Sequence, residues 1–142
     1  MKNLIIKNIK QTVNTNEDVL EILKYSHFNP TREKLSKLMQ KYHENKDILP
    51  FTSFDGDIIS GIIVVQKIES ETYEIIDIAV GSNYRNQGIA SKLINYVIEN
   101  LGIKTLFAET DDNAVGFYEK YGFKTEIIKN KEYTRYNCTL SI

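Results

Sequence analysis

Hydrophobic positions recur along this chain with two different periods, and each change of period marks a new element. The Ile-rich opening, with Leu4, Ile6 and their neighbours, reads as a strand. Between Asn16 and Tyr25 the residues Val19, Leu20, Ile22 and Leu23 gather on one side of a helix. Thr15 or Asn16 stands where a cap is needed, and Glu17 and Asp18 suit the positive end. Asn29-Pro30 then reads as the cap and first position of a second helix. Its Leu35, Leu38, Met39 and Tyr42 fall at i, i+3, i+4 and i+7.

From Ile48 the period shortens to that of a strand. ILPFTSF, the turn pair Asp55-Gly56 and DIISGIIVVQKIES predict a β-hairpin, with Gly61 marking a bulge or a close backbone contact. A third strand spans Thr72 to Val80. An amphipathic helix follows from about Gly88 to Leu101, striped by Ile89, Leu93, Ile94, Val97, Ile98 and Leu101 and closed by Gly102. A short strand, Thr105 to Glu109, leads to a last helix, Asn113 to Tyr121, that stops at Gly122. Lys124 to Ile142 supply two strands around Asn130-Lys131. The order is βααβββαβαββ. Its strand–helix–strand unit demands parallel pairing with a right-handed crossover, while the hairpins demand antiparallel pairing. The fold class is therefore α/β, one mixed sheet with helices on both faces. At 142 residues, without repeat or linker, residues 1–142 fit a single domain.

Charge narrows the partners. Eighteen basic residues against 19 acidic ones leave a net charge of -1. The densest basic set, Lys124, Lys129, Lys131 and Arg135, is spread through a polar hairpin with acidic neighbours, so no nucleic-acid partner is expected. No run approaches the roughly 18 apolar residues of a membrane span. Cys138 is the only cysteine, which excludes an internal disulfide and a cysteine-based zinc site and suits a cytoplasmic location. His27 and His43 lack the spacing of paired metal ligands, so they read as surface or structural residues and no metal is expected.

The stretch VGSNYRNQGIA, Val80 to Ala90, carries the most specific chemistry. It lies past the carboxyl end of a strand, where open α/β sheets place their ligands, and its helix begins without a Ser, Thr or Asp cap, leaving Asn86 as the side chain that could serve. A bound anion would satisfy several first-turn N–H groups together. Gly88 lets a phosphate approach the backbone, small Ala90 leaves room, and Arg85 adds a positive charge. Neither GxxxxGK[ST] nor GxGxxG is present.

Arg85-Asn86-Gln87-Gly88-Ile89-Ala90 resembles the R/Q-x-x-G-x-G/A signature of the GNAT acetyltransferase superfamily. Ala114 to Phe123, AVGFYEKYGF, is similar to that superfamily's second coenzyme-binding motif, A-x-x-F-Y-x-K-x-G-F. The element order agrees, and the resemblance spans the chain, strongest from Glu74 to Phe123.

The resemblance implies an N-acetyltransferase that moves the acetyl group of acetyl-CoA to a primary amine of a small molecule or peptide, by direct attack in a ternary complex. Arg85, Asn86, Gln87, Gly88, Ile89 and Ala90 would hold the pyrophosphate. The backbone of Ile78, Ala79 and Val80 would hold the pantetheine arm and the oxyanion, with Asn113, Phe117 and Tyr118 as further coenzyme contacts. Asn113 stands five residues before Tyr118, whereas the family's Asn stands seven before and that place is Asp111 here; a helix cap is the other reading of Asn113. Phe117 and Tyr121 share the expected core stripe, with Tyr118 turned to the adjacent side.

At neutral pH an alkylammonium of pKa ~10.4 costs about 4 to 5 kcal/mol to deprotonate, so a base is needed. By resemblance Glu74 is that base; its alternatives are an ion pair or a wet strand end. The alternation places it on one face with Ile76, Ile78 and Val80, and Asp77 on the other. Tyr118 is by resemblance the acid that protonates the departing thiolate; its alternative is a packed core Tyr. The helices between Asn16 and Glu44 and the Asn130 hairpin are expected to line the acceptor cleft, with Tyr25, His27, Phe28 and Tyr133 selecting substrate or closing the core. A monomer or homodimer is expected. The competing reading is a non-catalytic acyl-CoA sensor or interaction domain of the same fold.

Overall fold

A computed structural model describes residues 4–129 and 132–142. The Asn130-Lys131 turn lies outside the described residues. The observed order is β1 (Ile5–Asn8), α1 (Glu17–Leu23), α2 (Arg32–Glu44), β2 (Ile48–Asp55), β3 (Ile58–Glu69), β4 (Thr72–Val80), α3 (Ile89–Leu101), β5 (Thr105–Asp111), α4 (Val115–Tyr121), β6 (Lys124–Ile128) and β7 (Arg135–Ser141). Short 3-10 turns at Lys24–Ser26 and Ser82–Tyr84 complete it. The predicted order holds.

One seven-stranded sheet runs β1-β2-β3-β4-β5-β7-β6, antiparallel except for the parallel β4–β5 pair. Two cores form on its two faces. On one, Leu93, Ile94 and Val97 of α3 meet Leu106 and Tyr118. On the other, Val19, Leu23, Leu35 and Tyr42 of α1 and α2 meet Ile62 and Val64. Ile62, Ile63, Val64 and Val65 of β3 are sealed on both sides, which explains their unbroken apolar run.

Local chemistry sets the helix ends. Asn16 caps α1, accepting from the N–H groups of Asp18 and Val19. Asn29 does not cap α2: it sits at φ 48, and Thr31 takes the role, accepting from the Lys34 N–H at 3.2 Å. Gly61 combines both predicted features. The register slips opposite Ser53/Phe54, and a Cβ at Gly61 would lie 2.9 Å from Ile89 Cγ2, so only glycine lets α3 rest on β3. Lys10 extends its ammonium to the carbonyls of Tyr42, Asn45 and Ile48, tying the end of α2 to the sheet.

The sheet opens at its centre. β4 and β5 pair only from Thr72 with Thr105 to Ile75 with Ala108, after which β5 continues on β7 alone. The register of β4 on β3 slips at the same place: Val65 pairs with Ile75 but Val64 with Asp77, leaving Ile76 as a bulge. The bulge reverses the expected facing. Tyr73, Ile75, Ile78 and Val80 all pack toward α3 and α4, whereas Ala79 packs toward α1 and α2 and Asp77 bonds there. Glu74 therefore lies on the Asp77 side, away from Ile78 and Val80.

Candidate active site

The opening between β4 and β5 forms a cleft of about 620 Å³ that reaches both faces of the sheet. The α1–α2 side contributes Tyr25, His27 and Phe28, and the α3–α4 side contributes Arg85, Phe117 and Tyr118. Because the Gly81 N–H donates to the Ser60 carbonyl at 2.9 Å, the ladder's alternation points the backbone groups of Ile78 and Val80 away from β3. They face the opening, where β5 has already departed.

The turn from β4 to α3 borders a connected groove of about 920 Å³. Asn86 and Gly88 take φ of 63 and 77, and α3 starts at Gly88 with no side-chain cap. The first intrahelical bond here runs from the Lys92 N–H to the Gly88 carbonyl, so the N–H groups of Ile89, Ala90 and Ser91 have no helical partner. A Cβ at Gly88 would meet nothing within 4 Å; its backbone angle, rather than crowding, calls for glycine. Arg85, exposed and 5.6 Å from the Tyr25 ring centroid, stands where the groove meets the cleft. Asn113 and Phe117 line both spaces.

Tyr118 is the one buried residue of α4, packed edge-on against Phe117 and Phe123, while Phe117 and Tyr121 are only partly buried. This reverses the expected division of that helix. The Tyr118 hydroxyl has no hydrogen-bond partner among the described residues. It is also not sealed in, because the only buried side-chain oxygen lacking a partner among them is Thr52 Oγ1. Its hydroxyl thus opens to the cleft. Burial, then Cys138 and Asp77, push the phenol above its ordinary range, so it stays protonated and donates. Asn113 does not cap α4; Asp111 Oδ1 accepts from the N–H groups of Asn113 and Ala114 at 3.0 and 3.1 Å.

On the opposite wall, Asp77 is almost wholly buried, with 2% of its side chain exposed. It accepts from Tyr42 and pairs with His27 Nε2, each at 2.8 Å, and accepts from Ser26 on its other oxygen. This cluster holds His27 at the cleft wall. Glu74 does not line the cleft. It faces a neighbouring hollow with Phe107, Lys124 and Glu126, and Glu109 is the charged residue shared by both spaces. Burial and then Glu109 raise its carboxyl above the usual range. Among the described residues, no three His, Cys, Asp or Glu side chains are grouped to hold a metal ion, and no helix is long and apolar enough to cross a membrane.

Residues 16–123 match the model of the acetyltransferase (GNAT) family. The chain belongs to the GNAT family. An N-acetyltransferase of Bacillus subtilis strain 168, YvbK, whose own role is uncharacterised, is 27% identical over 120 residues, 75% of this chain and 77% of that protein. Among solved structures, a GNAT acetyltransferase from Elizabethkingia anophelis with acetyl-CoA bound is 23% identical, with a TM-score of 0.72 over the full length of both chains. The ribosomal-protein-S18-alanine N-acetyltransferase of Escherichia coli is 20% identical, with a TM-score of 0.77 over 99% of this chain and 94% of that one. These structures share the fold.

Within this GNAT fold, Arg85, Asn86, Gly88 to Ala90, Ile78 to Val80, Asn113, Phe117 and Tyr118 line the adjoining groove and cleft, whereas Gln87 lines neither. Glu74 too is set apart. Sequence reading allowed Asp77 to accept bonds from a nearby helix but did not join it to His27 and Tyr42; its signal was an Asp set among the apolar residues Ile75 to Val80.

Proposed function

We propose that the protein is an acetyl-CoA-dependent N-acetyltransferase that acetylates a primary amine by direct attack in a ternary complex. One observation carries this reading: the sheet opens between β4 and β5 with an uncapped, glycine-led helix turn on one side and a polar cluster on the other. Coenzyme pyrophosphate fits the turn from Arg85 through Ala90, where free N–H groups, the helix dipole and a cation favour an anion together. The pantetheine arm then adds to the free edge of β4 at Ile78, Ala79 and Val80, leaving the thioester in the cleft. Unpaired N–H groups there are suited to the tetrahedral oxyanion.

In this reading Asn113 and Phe117 flank the arm, and Tyr118 donates a hydrogen bond to the departing sulfur. A phenol held above its normal pKa resists full transfer, so its contribution is to stabilise the developing thiolate. Glu74, the expected base, is supported less well, because it opens to the neighbouring hollow rather than to the Tyr118 cleft. The acceptor enters from the α1–α2 side, past Tyr25 and Phe28.

The test is thiol release from acetyl-CoA with a panel of alkylamines, aralkylamines, amino acids, aminoglycosides and Lys peptides, with acetylated product identified by mass. The reading expects at least one amine to be acetylated by the wild type and far more slowly by Tyr118→Phe. Acetyl-CoA binding without acetylation of any amine would instead support a non-catalytic coenzyme sensor.

A further inference from the structure

The cleft contains a second set of groups that the coenzyme reading leaves unused. Resting on the proposed acetyltransferase activity, we infer that His27 is the base that takes the proton from the acceptor amine, and that Asp77, Tyr42 and Ser26 are positioning residues that orient it.

The geometry comes first. Asp77 Oδ2 lies 2.8 Å from His27 Nε2. A carboxylate oxygen accepts, so Nε2 carries the hydrogen and Nδ1 keeps the lone pair. Nδ1 has no hydrogen-bond partner among the described residues, and 31% of the His27 side chain is exposed where it borders the cleft. Asp77 is held in turn by the Tyr42 hydroxyl at 2.8 Å and by Ser26. Tyr42 itself is buried, which fixes the carboxylate that fixes the ring.

The other carboxylates of the cleft each hold a partner on at least one oxygen. Glu109 is bound by Arg135 through Nε at 3.2 Å and a terminal nitrogen at 3.1 Å. Asp111 Oδ1 accepts from the Asn113 and Ala114 N–H groups just before α4, and Asp77 is spent on its three donors. Glu74 lies in the next hollow. His43 turns its ring to the Lys10 carbonyl. His27 is the imidazole of the cleft, and its Nδ1 offers a lone pair that no described residue engages. The charged and titratable groups around it are Tyr25 from the turn after α1, Asp77 from β4, Tyr42 from α2, Arg85 from the turn before α3, Asp111 from β5, Tyr118 from α4, and the Glu109–Arg135 pair from β5 and β7.

The reaction balances as follows. The acceptor ammonium gives its first proton to His27 Nδ1, which passes it to solvent. The amine nitrogen, now neutral, attacks the thioester carbonyl carbon, and the C–N bond forms. Collapse of the tetrahedral adduct breaks the C–S bond, and the second amine proton leaves with the sulfur as the free thiol of coenzyme A. The net change is ammonium plus acetyl-CoA to amide, coenzyme A and one proton. The hydrogen bond to Asp77 raises His27 above the ordinary imidazole range, against the opposing effect of burial, and so brings it nearer in basicity to the amine.

The experiment measures kcat/KM against pH from 5.5 to 9.5 on the best amine of the panel, for wild type, His27→Gln and Asp77→Asn. His27→Gln should lose about 100-fold or more in kcat/KM, with acetyl-CoA affinity unchanged. The acid limb of the wild-type profile should have its midpoint above the ordinary ~6.5 of His, and Asp77→Asn should shift that midpoint down. A merely structural Asp77 would lower the rate evenly at every pH. Turnover by His27→Gln within threefold of wild type, or an acid limb unmoved in Asp77→Asn, overturns the assignment and leaves the acetyltransferase reading standing. A wild type that binds acetyl-CoA and acetylates no amine overturns that reading itself, and the base with it.

Discussion

Asp77→Ala should be among the most destabilising single changes outside the apolar core. The carboxylate accepts from Tyr42 and Ser26 and pairs with His27, and each hydrogen bond to a charged group is worth about 1.5–3 kcal/mol. The three do not add. Ser26 is exposed and His27 is about a third exposed, so both regain water when the carboxylate is gone. Tyr42, with 1% exposure, cannot, and its hydroxyl is left buried and unpaired at a cost of about 1–3 kcal/mol. Including the residual loss at His27, the expected cost is about 3 kcal/mol, within the range for breaking a buried pair. For a chain of this size that lowers Tm by roughly 6–12 °C. Urea unfolding of wild type, Asp77→Ala, Tyr42→Phe and the double variant measures it, and the double variant should be more stable than the sum of the two singles predicts, by about 1 kcal/mol or more. An Asp77→Ala midpoint within about 0.5 kcal/mol of wild type, or strict additivity, would refute the network.

Two further outcomes follow from the same geometry. Tyr118→Phe keeps the packing against Phe117 and Phe123 but removes the hydroxyl proposed to donate to the sulfur, so kcat should fall by about 100-fold while the KM for acetyl-CoA stays within threefold; steady-state kinetics would show it. Glu74 has a folded pKa raised by burial and by Glu109, so its favourable contribution is complete below its unfolded value near ~4.3 and is lost as pH rises through the folded one. Glu74→Gln should therefore match wild type in Tm near pH 4 and exceed it at pH 7; a lower Tm at pH 7 would place Glu74 in a stabilising ion pair instead.

What was legible in the sequence was what local pattern controls. The β4–turn–α3 motif, the parallel β4–β5 unit and the glycine that leads α3 could be read because each depends on residues within a few positions of one another. Asn113 caps nothing because α4 starts two residues later, at Val115, with Ala114 at its cap position and no side-chain cap, while Asp111 at the end of β5 ties down the Asn113 and Ala114 N–H groups just before it. Asp77 lies opposite Ile78 and Val80 as expected, but the facing of Glu74 was misread because strict alternation fails at a bulge, and Ile76 carries no mark of one in its identity. His27 was expected as a surface or structural residue near the acceptor cleft, which it does line, but its link to Asp77 was hidden because that partner is 50 positions away. Tyr118 went to the core rather than beside it because α4 is only two turns long and packs across Phe123.

The most direct test of the central claim is a calorimetric titration of acetyl-CoA into wild type and Arg85→Glu. Saturable one-to-one binding to the wild type, weakened at least tenfold (about 1.4 kcal/mol) by the charge reversal, is the predicted result. No heat of binding at millimolar acetyl-CoA, or equal affinity for both proteins, would contradict the placement of the coenzyme on the Arg85–Ala90 turn.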